Sequence, residues 1–220
     1  MKKILHATLL FLFFVLSSTA MAQQVYISSG FSRAAFEDYE NSKSETNLDD
    51  TGYASPEKYV FESGFRMNIY KERVKFEAGF LYHQHEINTA FISGGSKIPT
   101  TYELSYVGLK VGFRMNLLRW KKLKLQVHTH ISKDWLLYGS NTYKDIFLDL
   151  FEDKSIARSV TNFHRGFGFE YEINDRIAVF TNYNLSTSFK DGSGDSSPGE
   201  KYYFTTKAVQ IGVLFNISSN

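Results

Sequence analysis

Cysteine is absent from all 220 residues, which excludes disulfides, thiol chemistry and an acylated N-terminal cysteine on the mature chain. Proline occurs only three times, at Pro56, Pro99 and Pro198, and all three read as positions in long loops where no ladder hydrogen bond is lost. Neither sign of charge dominates: 25 Lys+Arg against 23 Asp+Glu leave a formal net charge of +2, so nothing in the charge argues for a nucleic-acid partner. Apolar runs are nearly absent as well. Residues 4–16 form one, and no second run approaches the length of a membrane helix. A chain like this crosses a membrane as strands if it crosses at all.

The single apolar run is preceded by Lys2 and Lys3 and followed by Ser17, Ser18, Thr19 and the small-x-small sequence Ala20-Met21-Ala22. That order predicts a secretory signal over residues 1–22, cleaved before Gln23, rather than an anchor, because the run is too short to span a bilayer comfortably. The remaining residues 23–220 suit one domain. Aromatics are plentiful there, with 20 Phe and 14 Tyr in the whole chain.

Alternation of apolar and polar residues, the period of a strand with two unlike faces, runs through that domain. From Thr161 every second residue gives Phe163, Arg165, Phe167, Phe169, Tyr171 and Ile173, and the residues between are Asn162, His164, Gly166, Gly168, Glu170 and Glu172. After Asn174-Asp175 the alternation restarts with Ile177, Val179, Thr181, Tyr183, Leu185, Thr187 and Phe189. These two runs are about twice the usual five or six residues of a soluble strand and match the nine to eleven of a tilted transmembrane strand.

Six further segments alternate: 25–32, 59–69, 74–83, 107–116, 123–131 and 208–215. Their connections switch between short (Lys71-Glu72; Leu118-Arg119-Trp120; Asn174-Asp175) and long (37–56; around Gly94-Gly95 and Pro99; 134–159; 191–199). The pattern predicts an all-β fold, an eight-stranded antiparallel up-and-down transmembrane barrel with four long extracellular loops and three short periplasmic turns.

A soluble eight-stranded barrel would alternate too, with its apolar residues facing inward around a ligand. Glycine argues for the opposite orientation. Gly30, Gly64, Gly79, Gly108, Gly112, Gly166, Gly168 and Gly212 all share the polar phase, and an eight-stranded interior needs small residues beside large ones. The same phase carries Glu62, Glu77, Glu170 and Glu172 with Arg66, Lys75, Lys110, Arg114 and Lys124. Charges of both signs in a narrow lumen read as a mutually paired ion network that leaves no open pore.

The signal, the eight alternating segments and the charged lumen resemble the small outer-membrane barrels of the OmpA and OmpX type. The ending Gly212-Val213-Leu214-Phe215-Asn216-Ile217, with a few polar residues after it, is more similar to the outer-membrane β-barrel domain proteins of Bacteroidota, PorT-like proteins among them. This resemblance implies a Gram-negative outer membrane as the location. It also implies outer-membrane lipid and lipopolysaccharide as surroundings, a monomer, and loops that can meet a protein or other surface ligand.

Counting about nine residues up each strand from its periplasmic end puts Arg33, Lys133, Arg165 and Lys207 on the lipid face near the extracellular boundary. There they would contact lipopolysaccharide phosphates or snorkel without a specific partner. His83, His85, His128, His130 and His164 all fall on the inward phase toward the extracellular end, where they would either hydrogen-bond within the lumen or hold zinc or copper with help from Glu86.

His128-Thr129-His130-Ile131-Ser132 invites comparison with barrel enzymes that act on lipid A, but these histidines point inward, away from a lipid substrate. In the third long connection Tyr143, Ile146, Phe147, Leu150 and Phe151 follow helical spacing, with Asp145, Asp149, Glu152, Asp153 and Lys154 on the other face. That predicts an amphipathic helix capping the barrel mouth, lying on the leaflet or meeting a partner.

The functional expectation is a non-enzymatic surface protein, without cofactor, in membrane integrity, adhesion or loop-mediated interaction. Alternatives are an accessory factor of a secretion or gliding system and a lipid A-modifying enzyme. A fold of this kind hosts all of them.

Overall fold

The structure, a computed structural model, describes residues 24–41, 55–93, 96–143, 146–150, 158–189 and 200–217. The expected signal segment and most of the first and fourth long connections lie outside them. Among the described residues there are nine strands: β1 (Gln24–Asn41), β2 (Lys58–Tyr70), β3 (Val74–Ser93), β4 (Ser96–Trp120), β5 (Leu123–Tyr143), β6 (Ile146–Asp149), β7 (Ser159–Glu172), β8 (Ile177–Ser188) and β9 (Glu200–Asn216). Eight of them, all but β6, form an antiparallel ring that closes through β1 and β9.

Sidedness follows from the alternation. Ile27, Phe31, Phe61, Phe80, Val111, Phe113, Phe167, Val209 and Ile211 are exposed on the outer wall, whereas Ser28, Glu62, Arg66, Glu77, Gln126, Glu170 and Gln210 are buried within. A one-residue slip in any strand would turn its charges onto the apolar face, so this pattern fixes the register.

The register also fixes the shape. Cross-strand partners run from Ala34 through Thr206, Ser186, His164, His130, Gly112, Glu77 and Arg66 and return to β1 at Gln24, ten residues from where they began. With about 3.3 Å per residue and about 4.8 Å between strands, a stagger of ten over eight strands tilts them by roughly 40° to the barrel axis. An eight-stranded interior is only as wide as its side chains. Gly64 and Gly79 pair directly, and a Cβ on either would lie 2.7 or 2.8 Å from Tyr26 Oη, so the two glycines make room for that ring.

The short connections cluster at one end, here the turn end. Lys71 and Glu72 both adopt positive φ, 42° and 57°, in a turn closed by Arg73 N–H donating to the Tyr70 carbonyl at 2.8 Å. In the β7–β8 turn, Asn174 Oδ1 accepts from the Arg176 and Ile177 amides, each at 2.9 Å. The β4–β5 turn falls at Lys121-Lys122, because β4 runs on through the expected turn residues Leu118-Arg119-Trp120.

The other end departs further from expectation. β3 and β4 continue to Ser93 and Ser96, so only residues 94–95 separate them, and the expected long second loop is a strand extension. Pro99 therefore lies inside β4, opposite Ala90. It is tolerated because pairing of β4 with β5 starts only at Thr100, leaving β4 an edge strand at Pro99.

β5 likewise runs on to Tyr143, through the first part of the expected third loop. The expected helix is not formed over Ile146–Asp149, which is strand β6 paired with Ser140–Tyr143 of β5. Pairing of β7 with β5 stops at Trp135–Ser159, so the upper edge of β5 needs another partner, and a nearby segment carrying Ile146 and Phe147 supplies it. Asp145, Phe151, Glu152, Asp153 and Lys154 lie outside the described residues.

Candidate functional site

The lumen is layered. In its lower half Glu77 is the hub: its carboxylate accepts from Arg66 Nε at 2.8 Å, Arg114 Nε at 2.7 Å and Lys110 Nζ at 2.9 Å, and His130 Nε2 stands 3.2 Å away. These residues come from β2, β3, β4 and β5, so the hub ties together half of the ring. Lys110 also pairs with Glu62. Arg66 reaches on to Glu170 at 3.2 Å, Lys124 bridges Glu170 at 3.2 Å and Glu172 at 2.6 Å, and Arg114 Nη1 donates to Gln126 and Asn182. Lys75 differs: its ammonium donates to the neutral Gln24 Oε1 at 2.7 Å.

Sequence reasoning missed the walls of this network. The Arg66 guanidinium carbon stands 4.7 Å from both the Tyr26 and the Phe180 ring centroids, which places two aromatics inside the lumen as cation–π partners. Their signal was available. Both rings occupy the inward phase of strands whose neighbours bear glycine, at Gly64, Gly79 and Gly212.

Above this layer the histidines spread out. His83 and His85 rings stand 4.6 Å apart, and His128 and His130 rings 5.3 Å apart. His83 Nε2 lies 3.4 Å from Asp134, His128 contacts Asn184, and His164 Nε2 lies 2.8 Å from Ser132 Oγ. Ser132 and Asn162 both donate to Asp134 Oδ2, at 3.0 and 2.5 Å. Among the described residues, no three His, Asp or Glu side chains converge as metal ligands. Ser132, Asp134 and His164 do meet, but inside the barrel, with Ser132 1% and Asp134 0% exposed, out of reach of a lipid on the outer wall. A cavity of about 40 Å³ beside them is large enough only for a few waters.

Toward the loop end lies a buried apolar cluster of Ala34, Phe36, Ile87, Leu104, Tyr106, Leu136, Leu150 and Val160. At the turn end the lumen widens into a polar vestibule of about 820 Å³.

Outside, Arg33 stands directly opposite Lys207, Lys207 opposite Leu185 and Leu185 opposite Arg165, in one cross-strand row. At roughly 40° of tilt each step along this row falls by about 3 Å, so Arg165 lies about 9 Å nearer the turn end than Arg33. Lys133 is four residues above Thr129, the partner of Arg165, which returns it to within about 3 Å of the Arg33 level. Arg33 pairs with Glu57 at 3.4 Å, and Lys133 donates to Thr161 Oγ1 at 3.3 Å. The four cations thus form a level group of three with Arg165 below.

Residues 7–216 match the sequence profile of the outer membrane protein β-barrel domain family. Among curated proteins no sequence matches the chain. Solved structures similar to it include the attachment invasion locus protein Ail of Yersinia pestis, at 11% identity over 89% of this chain and 100% of that chain with a TM-score of 0.42. Neisserial surface protein A is similar at 11% identity over 88% and 97%, TM-score 0.47. OprG of Pseudomonas aeruginosa is similar at 10% identity over 90% and 98%, TM-score 0.45.

Proposed function

Since the chain belongs to the outer membrane protein β-barrel domain family and has its place in the outer membrane, we propose that it acts there as a closed, non-enzymatic surface barrel whose extended strands make the contacts of adhesion or envelope integrity. The observation that supports this reading is the asymmetry of the barrel. Its lumen is filled by buried ion pairs with an apolar cluster above them, while β3, β4 and β5 continue past the last β2 and β7 partners and, with β6 paired to β5, make a four-stranded blade. A protein that moves solute would invest in a passage; this one invests in a surface.

The lipid partner of the proposal is lipopolysaccharide, met by Arg33, Lys207 and Lys133. Two cations directly opposite one another on a wall repel, and phosphate oxygens between them would convert that repulsion into charge-assisted hydrogen bonds.

The test replaces residues 87–102 by a two-residue Asn-Gly hairpin. The expected result is a barrel that still shows the heat-shifted gel mobility of a folded outer-membrane protein and gives no unitary conductance in planar bilayers. Cells carrying it should lose surface attachment and detergent resistance to the level of a deletion strain. Full retention of both phenotypes by the shortened barrel would overturn the reading.

A further inference from the structure

The vestibule at the turn end faces the periplasm, and its charges do not balance. Arg119 spans Glu72 and Glu172 at 3.3 and 3.4 Å, and Lys124 spans Glu170 and Glu172. Those contacts engage both glutamates of the lining. Three further cations line the same space: Lys75, Lys122 and Arg176. Among the described residues none of the three has a carboxylate within ion-pair distance. Lys75 donates to Gln24 and Lys122 to the Ile173 carbonyl at 3.1 Å, both neutral acceptors. Asp175 is the one lining acid left uncommitted by its side chain.

Lys75 is the decisive residue. It is 2% exposed, at the ceiling of the vestibule, and the carboxylate whose charge opposes it, Glu170, is beyond ion-pair distance and is already shared by Arg66 and Lys124, so a further anion would complete the surroundings of its ammonium. Among the described residues the lining is polar apart from Ile217, with amides from Gln24, Asn174 and Asn216 beside the cations and no aromatic face on which a base or ring would stack. The volume lies within the range of small-molecule sites, and an excess of five lining cations over three lining acids favours an anion there.

We propose that this periplasmic vestibule binds a small, soluble, hydrophilic polyanion of phosphate type, with Lys75 above it and Lys122 and Arg176 at its mouth. The site is independent of the blade and of the outer cations, and no bond is made or broken in it.

Calorimetry on the full chain in phosphatidylcholine nanodiscs tests this, with tripolyphosphate, glucose 6-phosphate and glucose as probes. Tripolyphosphate should bind most tightly, glucose 6-phosphate more weakly and glucose not at all, and the affinity should fall as NaCl is raised. Lys75→Gln should weaken tripolyphosphate by about tenfold or more, the loss of one charge-assisted hydrogen bond.

Because Lys75 is buried and its removal can disturb folding, the exposed pair Lys122→Gln and Arg176→Gln provides a second measurement, with a similar loss expected at unchanged gel mobility. Lys58→Gln, at the far end of the barrel where that cation is already paired with Glu86, should bind like the unaltered protein. Absence of tripolyphosphate binding at low salt, equal binding of glucose, or indifference to both sets of variants would overturn the proposal. Displacement of tripolyphosphate by added phosphatidylglycerol would assign the site to a lipid headgroup and overturn the soluble ligand.

Discussion

Arg66, Lys110 and Arg114 all point at one side chain, Glu77, and the energetics of the lumen concentrate there. Removing one member of a buried ion cluster leaves the others charged and unpaired, which costs about 3–5 kcal/mol, more than the pair itself contributes over an apolar substitute. Glu77→Ala should therefore lower the free energy of unfolding by about that amount in a urea titration in detergent micelles. Glu172→Ala, whose carboxylate is partly exposed and shared with Arg119 at the mouth, should cost about 1 kcal/mol or less. Equal losses for the two would mean that the hub has no special weight.

The inward phase of these residues is legible in the sequence, since period two assigns every second residue to one face. Which of them meet is not. Lys75 and Glu77 are two residues apart on one strand, yet Lys75 turns to Gln24 and Glu77 to Arg66, because the stagger of ten carries their neighbours to different depths. Tyr26 and Phe180 escaped for a related reason. An aromatic on the polar phase looks like noise until the cation between the two rings is known.

Elements differ in how openly they declare themselves. The Asn174 turn was readable because a side-chain oxygen that accepts two amides is a local device. The Lys71-Glu72 turn was readable only from its length, since its residues are poor for the shape they adopt. Positive φ at both centres is the mirror-image turn that matches strand twist, and it favours Asn-Gly. L-residues in that region are disfavoured by roughly 1–2 kcal/mol each, and Asn or Gly largely escapes this. Lys71→Asn with Glu72→Gly should thus stabilise the barrel by about 1–2 kcal/mol, read as a higher urea midpoint with unchanged slope, because the lost Glu72–Arg119 pair is exposed and weak. A lower midpoint would show that the turn residues serve another contact.

The β6 segment was legible only as apolar. Its i, i+3, i+4 spacing satisfies a helix, and what decides for a strand is the unpaired edge of β5 above Trp135, a fact of pairing that no local window contains.

At the scale of the molecule, the number of strands and their stagger decide where the outer cations sit. Counting residues along each strand treats all four as one belt, but a tilted barrel turns equal counts into unequal heights. Arg33, Lys207 and Lys133 come level to within about 3 Å, and Arg165 falls about 9 Å below Arg33. Phosphates of lipopolysaccharide occupy one plane, so three of the cations can reach them from the same level. Arg165, lower on an apolar wall beside Phe163 and Phe167, has to extend its side chain upward to do the same.

The proposed lipid contact therefore predicts an unequal outcome from equal substitutions. The triple variant Arg33→Gln, Lys133→Gln, Lys207→Gln should retain little of the lipopolysaccharide expected to co-purify with the unaltered protein, and should lose the rise in melting temperature expected in lipopolysaccharide-containing bilayers relative to phospholipid alone. Arg165→Gln should retain both properties. Moving a lipid-facing cation away from the hydrocarbon removes a penalty that grows with depth, so its stability in plain phospholipid should stay level or rise. Quantification of bound lipopolysaccharide for the two variants decides the matter: equal retention by both would remove the outer cations from the account, and loss confined to Arg165→Gln would place the phosphate plane lower than the barrel geometry allows.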